Sequence, residues 1–85
     1  MGKLEKIFEH IMTRRSDSGV AFGDLRVLLL RVGFTERIRG DHHIYTMAGV
    51  EEIINLQPLN SLAKAYQVKQ VRDILLKYKL RPGEE

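Results

Sequence analysis

The stretch Arg37-Ile38-Arg39-Gly40-Asp41-His42-His43-Ile44-Tyr45 reads as a strand, a tight polar turn and a second strand that opens on two adjacent histidines. Gly40-Asp41 supplies the turn, because Gly tolerates positive φ and Asp bonds its local backbone. Side chains alternate across a strand, so His43 and Tyr45 share one face, while His42, Ile44 and Thr46 share the other. With Ile44 taken as a core residue, His43 and Tyr45 point outward, beside Arg37 and Arg39. The expected product is an open sheet face with an imidazole, a phenol and two guanidiniums. Such a face can hold a phosphate backbone and move protons on it.

Downstream, Ala48-Gly49-Val50-Glu51-Glu52 reads as a hairpin loop with Gly49 at positive φ, and Ile53 to Gln57 as a third strand. Ile54 and Leu56 are expected on the core face with Ile38 and Ile44. Ile53, Asn55 and Gln57 are expected on the open face. Pro58 ends the sheet, Leu59 to Ala65 is loop or a ragged helix start, and a last helix spans about Gln67 to Lys79. Val68, Val71, Ile74, Leu75 and Tyr78 line its buried face, and no good cap is visible near its start.

Upstream, a helix from Phe22 or Gly23 to Val32 buries Leu25, Leu28, Leu29 and Val32, widened by Val27 and Leu30. Gly33 is its left-handed stop, with Phe34 folding back on Leu29. Before it, Leu4, Ile7, Phe8 and Ile11 fall at i, i+3, i+4, i+7, an amphipathic helix from Lys3 to about Arg14. Arg14 and Arg15 suit its macrodipole, and Ser16-Asp17-Ser18-Gly19 is a turn. Pro82-Gly83-Glu84-Glu85 is expected to fray. The fold class that follows is α+β in the order α-α-β-β-β-α: a three-stranded antiparallel meander, helices on one face, the other face open.

Eighty-five residues, 44% hydrophobic and 29% charged, make one ordinary globular domain. The absence of cysteine excludes a disulfide framework and fits a reducing cytoplasm. No apolar run approaches the roughly 20 residues of a membrane span, and the charged start does not read as a signal peptide. The net charge is +3. From Ser61 to Arg81 the bases Lys64, Lys69, Arg72, Lys77, Lys79 and Arg81 face one acid, Asp73. That balance suits an anionic partner such as nucleic acid, or is simply a solvated helix face.

Histidine can act as base and acid near neutrality. Metal-free RNA cleavage needs a base for the 2′-hydroxyl proton and cations for the phosphorane. A histidine on a basic strand meets both needs; the plain alternative is polar turn chemistry. Adjacent strand histidines point apart and do not chelate one ion, and with no cysteine no metal site is expected. Tyr45 is either an RNA contact or a strand-forming aromatic. Arg37 and Arg39 are phosphate clamps or a wet strand face. Lys64, Lys69 and Arg72, at or near the last helix, are an anion site or again a wet face. No Gly-rich phosphate loop, Ser-His-Asp order or hydrolase elbow is present.

Leu25-Arg26-Val27-Leu28-Leu29 through Gly33-Phe34, then Gly40-Asp41-His42-His43-Ile44-Tyr45, then the helix Gln67-Val68-Lys69-Gln70-Val71-Arg72-Asp73-Ile74-Leu75, together resemble the HicA family of type II toxins. The resemblance covers roughly Phe22 to Leu80, with residues 1–20 as an N-terminal helical extension and 22–80 as the core. It implies a double-stranded-RNA-binding-domain-like fold and a cytoplasmic mRNA interferase. Such an enzyme is an endoribonuclease that uses a turn histidine, with no metal and no small-molecule cofactor. It implies mRNA as substrate and a HicB-type antitoxin as partner, with no membrane. Asp41 stands where the family's turn usually carries serine, and the third strand, Ile54-Asn55-Leu56-Gln57-Pro58, lacks the histidine many relatives place there. The alternation favours His43 as the catalytic residue, with His42 second; Arg37, Arg39, Tyr45, Lys64, Lys69 and Arg72 are the expected RNA contacts. The reading from another class is a non-catalytic RNA-binding module on the same fold, which needs no histidine.

Overall fold

The computed structural model describes residues 2–13 and 17–83. It is an α+β fold of three helices and one antiparallel sheet: α1 (Lys3–Met12), α2 (Phe22–Val32), β1 (Thr35–Arg39), β2 (His42–Met47), β3 (Val50–Leu56) and α3 (Ala65–Lys77). The sheet order is β1-β2-β3. The expected roles of Arg14, Arg15, Ser16, Glu84 and Glu85 lie outside the described residues.

Helix α2 has the predicted bounds, and its stop has the predicted chemistry. Gly33 sits at φ 122, and the Phe34 N–H donates to the Leu29 carbonyl at 3.1 Å, the 6→1 bond of a Schellman ending. Leu25, Leu28 and Leu29 are fully buried. Val27 and Leu30, expected to widen that stripe, are largely exposed on the opposite side. Helix α3 starts two residues earlier than its apolar pattern suggests. The Gln67 side chain accepts a hydrogen bond from the Lys64 N–H at 3.1 Å, so a glutamine three residues into the helix closes its first turn. The same amide group donates to the Gln57 carbonyl at 3.4 Å, tying α3 to the end of the sheet.

The β2–β3 loop is shorter than expected. Ala48-Gly49 alone makes the turn, with Gly49 at φ 88. Glu51 and Glu52 therefore belong to the strand, and Glu52 is fixed from the helix side. Its carboxylate accepts from the Tyr78 hydroxyl at 2.6 Å and from Lys77 Nζ at 2.9 Å. A register shift between Tyr45 and Met47 bends the hairpin.

Leu4 and Ile11 of α1, Leu25, Leu28 and Leu29 of α2, Tyr45, Ile54, Leu56, and Val68, Val71, Ile74 and Leu75 of α3 form one core. Helix α1 packs on α2 and α3. The tail is held as far as Gly83, whose N–H donates to the Arg31 carbonyl at 3.1 Å; Arg81 lies over the Phe8 ring. Among the described residues, no helix is long and apolar enough to cross a membrane.

Candidate functional site

Register decides which side chains meet. Ile38 pairs with His43 and His43 with Leu56; Glu36 pairs with Tyr45 and Tyr45 with Ile54. Paired residues share a face, so all six lie on the side that carries the helices, although Ile38, expected in the core, sits on the edge strand beyond their cover and is 52% exposed. The opposite row is Arg37, Ile44 and Asn55, flanked by Arg39, paired with His42.

This reverses the expected placement of the second strand. Tyr45 is 0% exposed and sits in the core, where it cannot contact RNA. Ile44 is on the open face in its stead. The physical reason is a partner for the phenol: the Tyr45 hydroxyl donates to Glu36 Oε2 at 2.6 Å, so the larger ring can be buried without stranding its polar end. His43 turns inward with it. Its side chain is 16% exposed, and its ring meets Phe22 edge-on at 4.9 Å between centroids.

The wet histidine is His42, 49% exposed along its side chain. It opens β2 directly after Gly40, which adopts φ 61, and Asp41. His42 Nδ1 lies 3.2 Å from Asn55 Oδ1. An amide oxygen only accepts, so this contact places the proton on Nδ1 and leaves Nε2 as the basic nitrogen. Nε2 lies 3.8 Å from Asp41 Oδ1. Asp41 in turn accepts from Gln57 Nε2 at 2.6 Å. That bond, first among several contacts, holds the Asp41 carboxyl below its ordinary pKa. Arg37 and Arg39 project from the same face and join no ion pair among the described residues. One open surface thus holds an oriented imidazole and two unneutralised guanidiniums.

Of the other expected RNA contacts, Arg72 is 4% exposed. It forms a two-pronged ion pair with Asp17, at 2.6 and 3.1 Å, and is a structural residue. Lys69 pairs with Asp73 one helical turn on, at 2.8 Å. Lys64 is half-buried at the start of α3, with its ammonium 5.9 Å from the Tyr66 ring; it is close enough to help lower the Asp41 pKa.

A second polar cluster lies under the sheet and was not visible as a unit in the sequence. Glu36 accepts from Arg26 Nε at 2.6 Å and Nη2 at 2.8 Å, from Tyr45 and from His43 Nδ1 at 3.2 Å. These donors, Arg26 foremost, hold its pKa down to about 2 against the opposing effect of burial. The period-two spacing of Glu36 with Ile38, and of His43 with Tyr45, was the signal that could have found it. Among the described residues, no group of three or more His, Cys, Asp or Glu could hold a metal ion.

Comparison with protein-family models, curated proteins and solved structures finds no match.

Proposed function

We propose that this protein is a metal-independent endoribonuclease of the HicA toxin kind, working on mRNA held across the open sheet face. The observation that carries the reading is His42, oriented by Asn55 on the same wet surface as Arg37 and Arg39. The arginines hold the phosphates flanking the cleaved bond and stabilise the charge that develops on the phosphorane. His42 Nε2 takes the proton from the 2′-hydroxyl. The 2′-oxygen attacks phosphorus, the bond to the 5′-oxygen breaks, and the leaving oxygen takes a proton from water. The products are a 2′,3′-cyclic phosphate and a 5′-hydroxyl. The core order α2-β1-β2-β3-α3 suits the double-stranded-RNA-binding-like arrangement implied by the resemblance. A HicB-type antitoxin spanning the open face from Arg37 and Arg39 on β1 to exposed Ile53 on β3 would block the same surface.

The test is cleavage of single-stranded RNA in excess chelator by wild type and His42→Ala. Wild type is expected to cleave. The variant should lose about 10²- to 10⁴-fold in rate, the usual worth of acid–base catalysis, with RNA binding little changed. Equal cleavage by both proteins, or none by wild type, removes the reading.

A non-catalytic RNA-binding module is favoured by one observation: the Asp41 carboxylate stands beside the nitrogen that would do the chemistry. Binding without cleavage, unchanged in Asp41→Ser, would select that alternative. Cleavage that rises in Asp41→Ser would select the nuclease.

A further inference from the structure

His43, turned away from the wet face, lines a separate cleft of about 360 Å³ with Phe22, Gly23, Arg26, Pro58 and Ser61. This lies near the lower end of the range for small-ligand sites. Glu36 orients the imidazole by accepting from its Nδ1, and Phe22 abuts the ring edge-on. An ionised carboxylate only accepts, so Nδ1 carries the proton and Nε2 is the ring's remaining acceptor. Arg26 uses Nε and Nη2 on Glu36, leaves Nη1 as a donor, and is 43% exposed. Ser61 adds a hydroxyl, and Pro58 and the imidazole add flat surfaces. The cleft therefore offers an acceptor, a donor and stacking faces in a space ample for one planar heterocycle.

Its position links it to the proposed reaction. His42 and His43 are consecutive and face opposite sides of the same strand end. A single-stranded RNA lying on His42 and rounding the Gly40-Asp41 turn meets His43 next. We infer that this cleft is a nucleobase subsite, which takes one unpaired base flanking the cleaved bond and gives the enzyme its sequence preference. The inference rests on the proposal that the protein binds RNA. Arg26 and His43 read the base edge while the open face holds the backbone, a division common to single-strand readers.

The experiment is a titration of isotope-labelled protein with each of the four nucleoside 5′-monophosphates, followed by amide chemical shifts. Saturable shifts are expected at Gly23, His43 and Ser61, with one base preferred about fivefold or more. Two variants should weaken that binding about tenfold. His43→Gln still donates to Glu36. Gly23→Leu adds bulk to a wall of the cleft, where a Cβ meets no other atom within 4 Å and is accommodated without a clash, and leucine favours the helix. Shifts confined to Arg37, Arg39, Ile44 and Asn55, or no saturable shift, overturn the subsite. The two proposals fail separately. Cleft binding with no cleavage by wild type removes the nuclease and keeps the subsite. Cleavage by Gly23→Leu at the same positions and rate as wild type removes the subsite and keeps the nuclease.

Discussion

At the scale of single residues, Glu36 is the most consequential side chain outside the proposed catalytic face. It is a carboxylate 10% exposed along its side chain, and it survives there because Arg26, Tyr45 and His43 all donate to it. Its pKa falls from 4.5 to about 2. A depressed carboxylate stabilises the fold above its unfolded value, and that stability is lost as pH falls through the folded one. The unfolding free energy from urea titrations should therefore drop from pH 4.5 towards pH 2, by about 3 kcal/mol at about 1.36 kcal/mol per unit. Glu36→Gln should be less stable at neutral pH and lack that dependence. An identical acid limb in variant and wild type would show that the clamp contributes nothing. Tyr45→Phe removes one charge-assisted bond without changing the ring, and should cost about 1.5–3 kcal/mol in the same measurement.

At the scale of elements, the segment joining α1 to α2 is pinned to α3 by Arg72. Its guanidinium donates twice to Asp17 and once, at 3.3 Å, to the Ile11 carbonyl in the last turn of α1, while its buried Nε has no hydrogen-bond partner among the described residues. Asp17→Ala would leave this cation buried and unpaired, a loss of about 3–5 kcal/mol, seen as a melting temperature lower by on the order of 10 °C or more. A fall of only a degree or two would show that the pair is dispensable. The helices were legible because their apolar residues recur at helical spacing and α2 ends in Gly33-Phe34. Strand existence was legible for the same kind of reason: turn residues at Gly40-Asp41 and Gly49 bracket β-formers. The face of β2 was misread because Ile44 and Tyr45 both satisfy alternation, and hydrophobicity alone favours the isoleucine. The pairing was the missing constraint. Ile44 lies opposite Asn55 and Arg37, so burying it would bury an amide and a guanidinium as well. Arg72 was misread because a basic residue in a basic helix gives no local sign of an acid 55 positions away.

At the scale of the molecule, a net charge of +3 understates how unevenly the cations are spent. Arg26, Lys69, Arg72 and Lys77 are matched by Glu36, Asp73, Asp17 and Glu52, so much of the basic balance of the C-terminal third is internal. Arg37 and Arg39 are unmatched among the described residues and share one face with His42. If RNA lies there, its affinity should fall linearly with salt on a log–log plot, with a slope of about −0.7 per phosphate neutralised on a single strand. Replacing both residues, Arg37→Gln with Arg39→Gln, should flatten that slope by about 1.4 while leaving the fold intact, because both side chains are exposed. Lys69→Gln, on a helix far from that face and already paired, should leave the slope as it was. The comparison needs the cleavage-deficient His42→Ala background, so that binding is read without turnover. A slope unmoved by the double arginine change, or moved equally by Lys69→Gln, would put the RNA on another surface, and with it the chemistry assigned to His42.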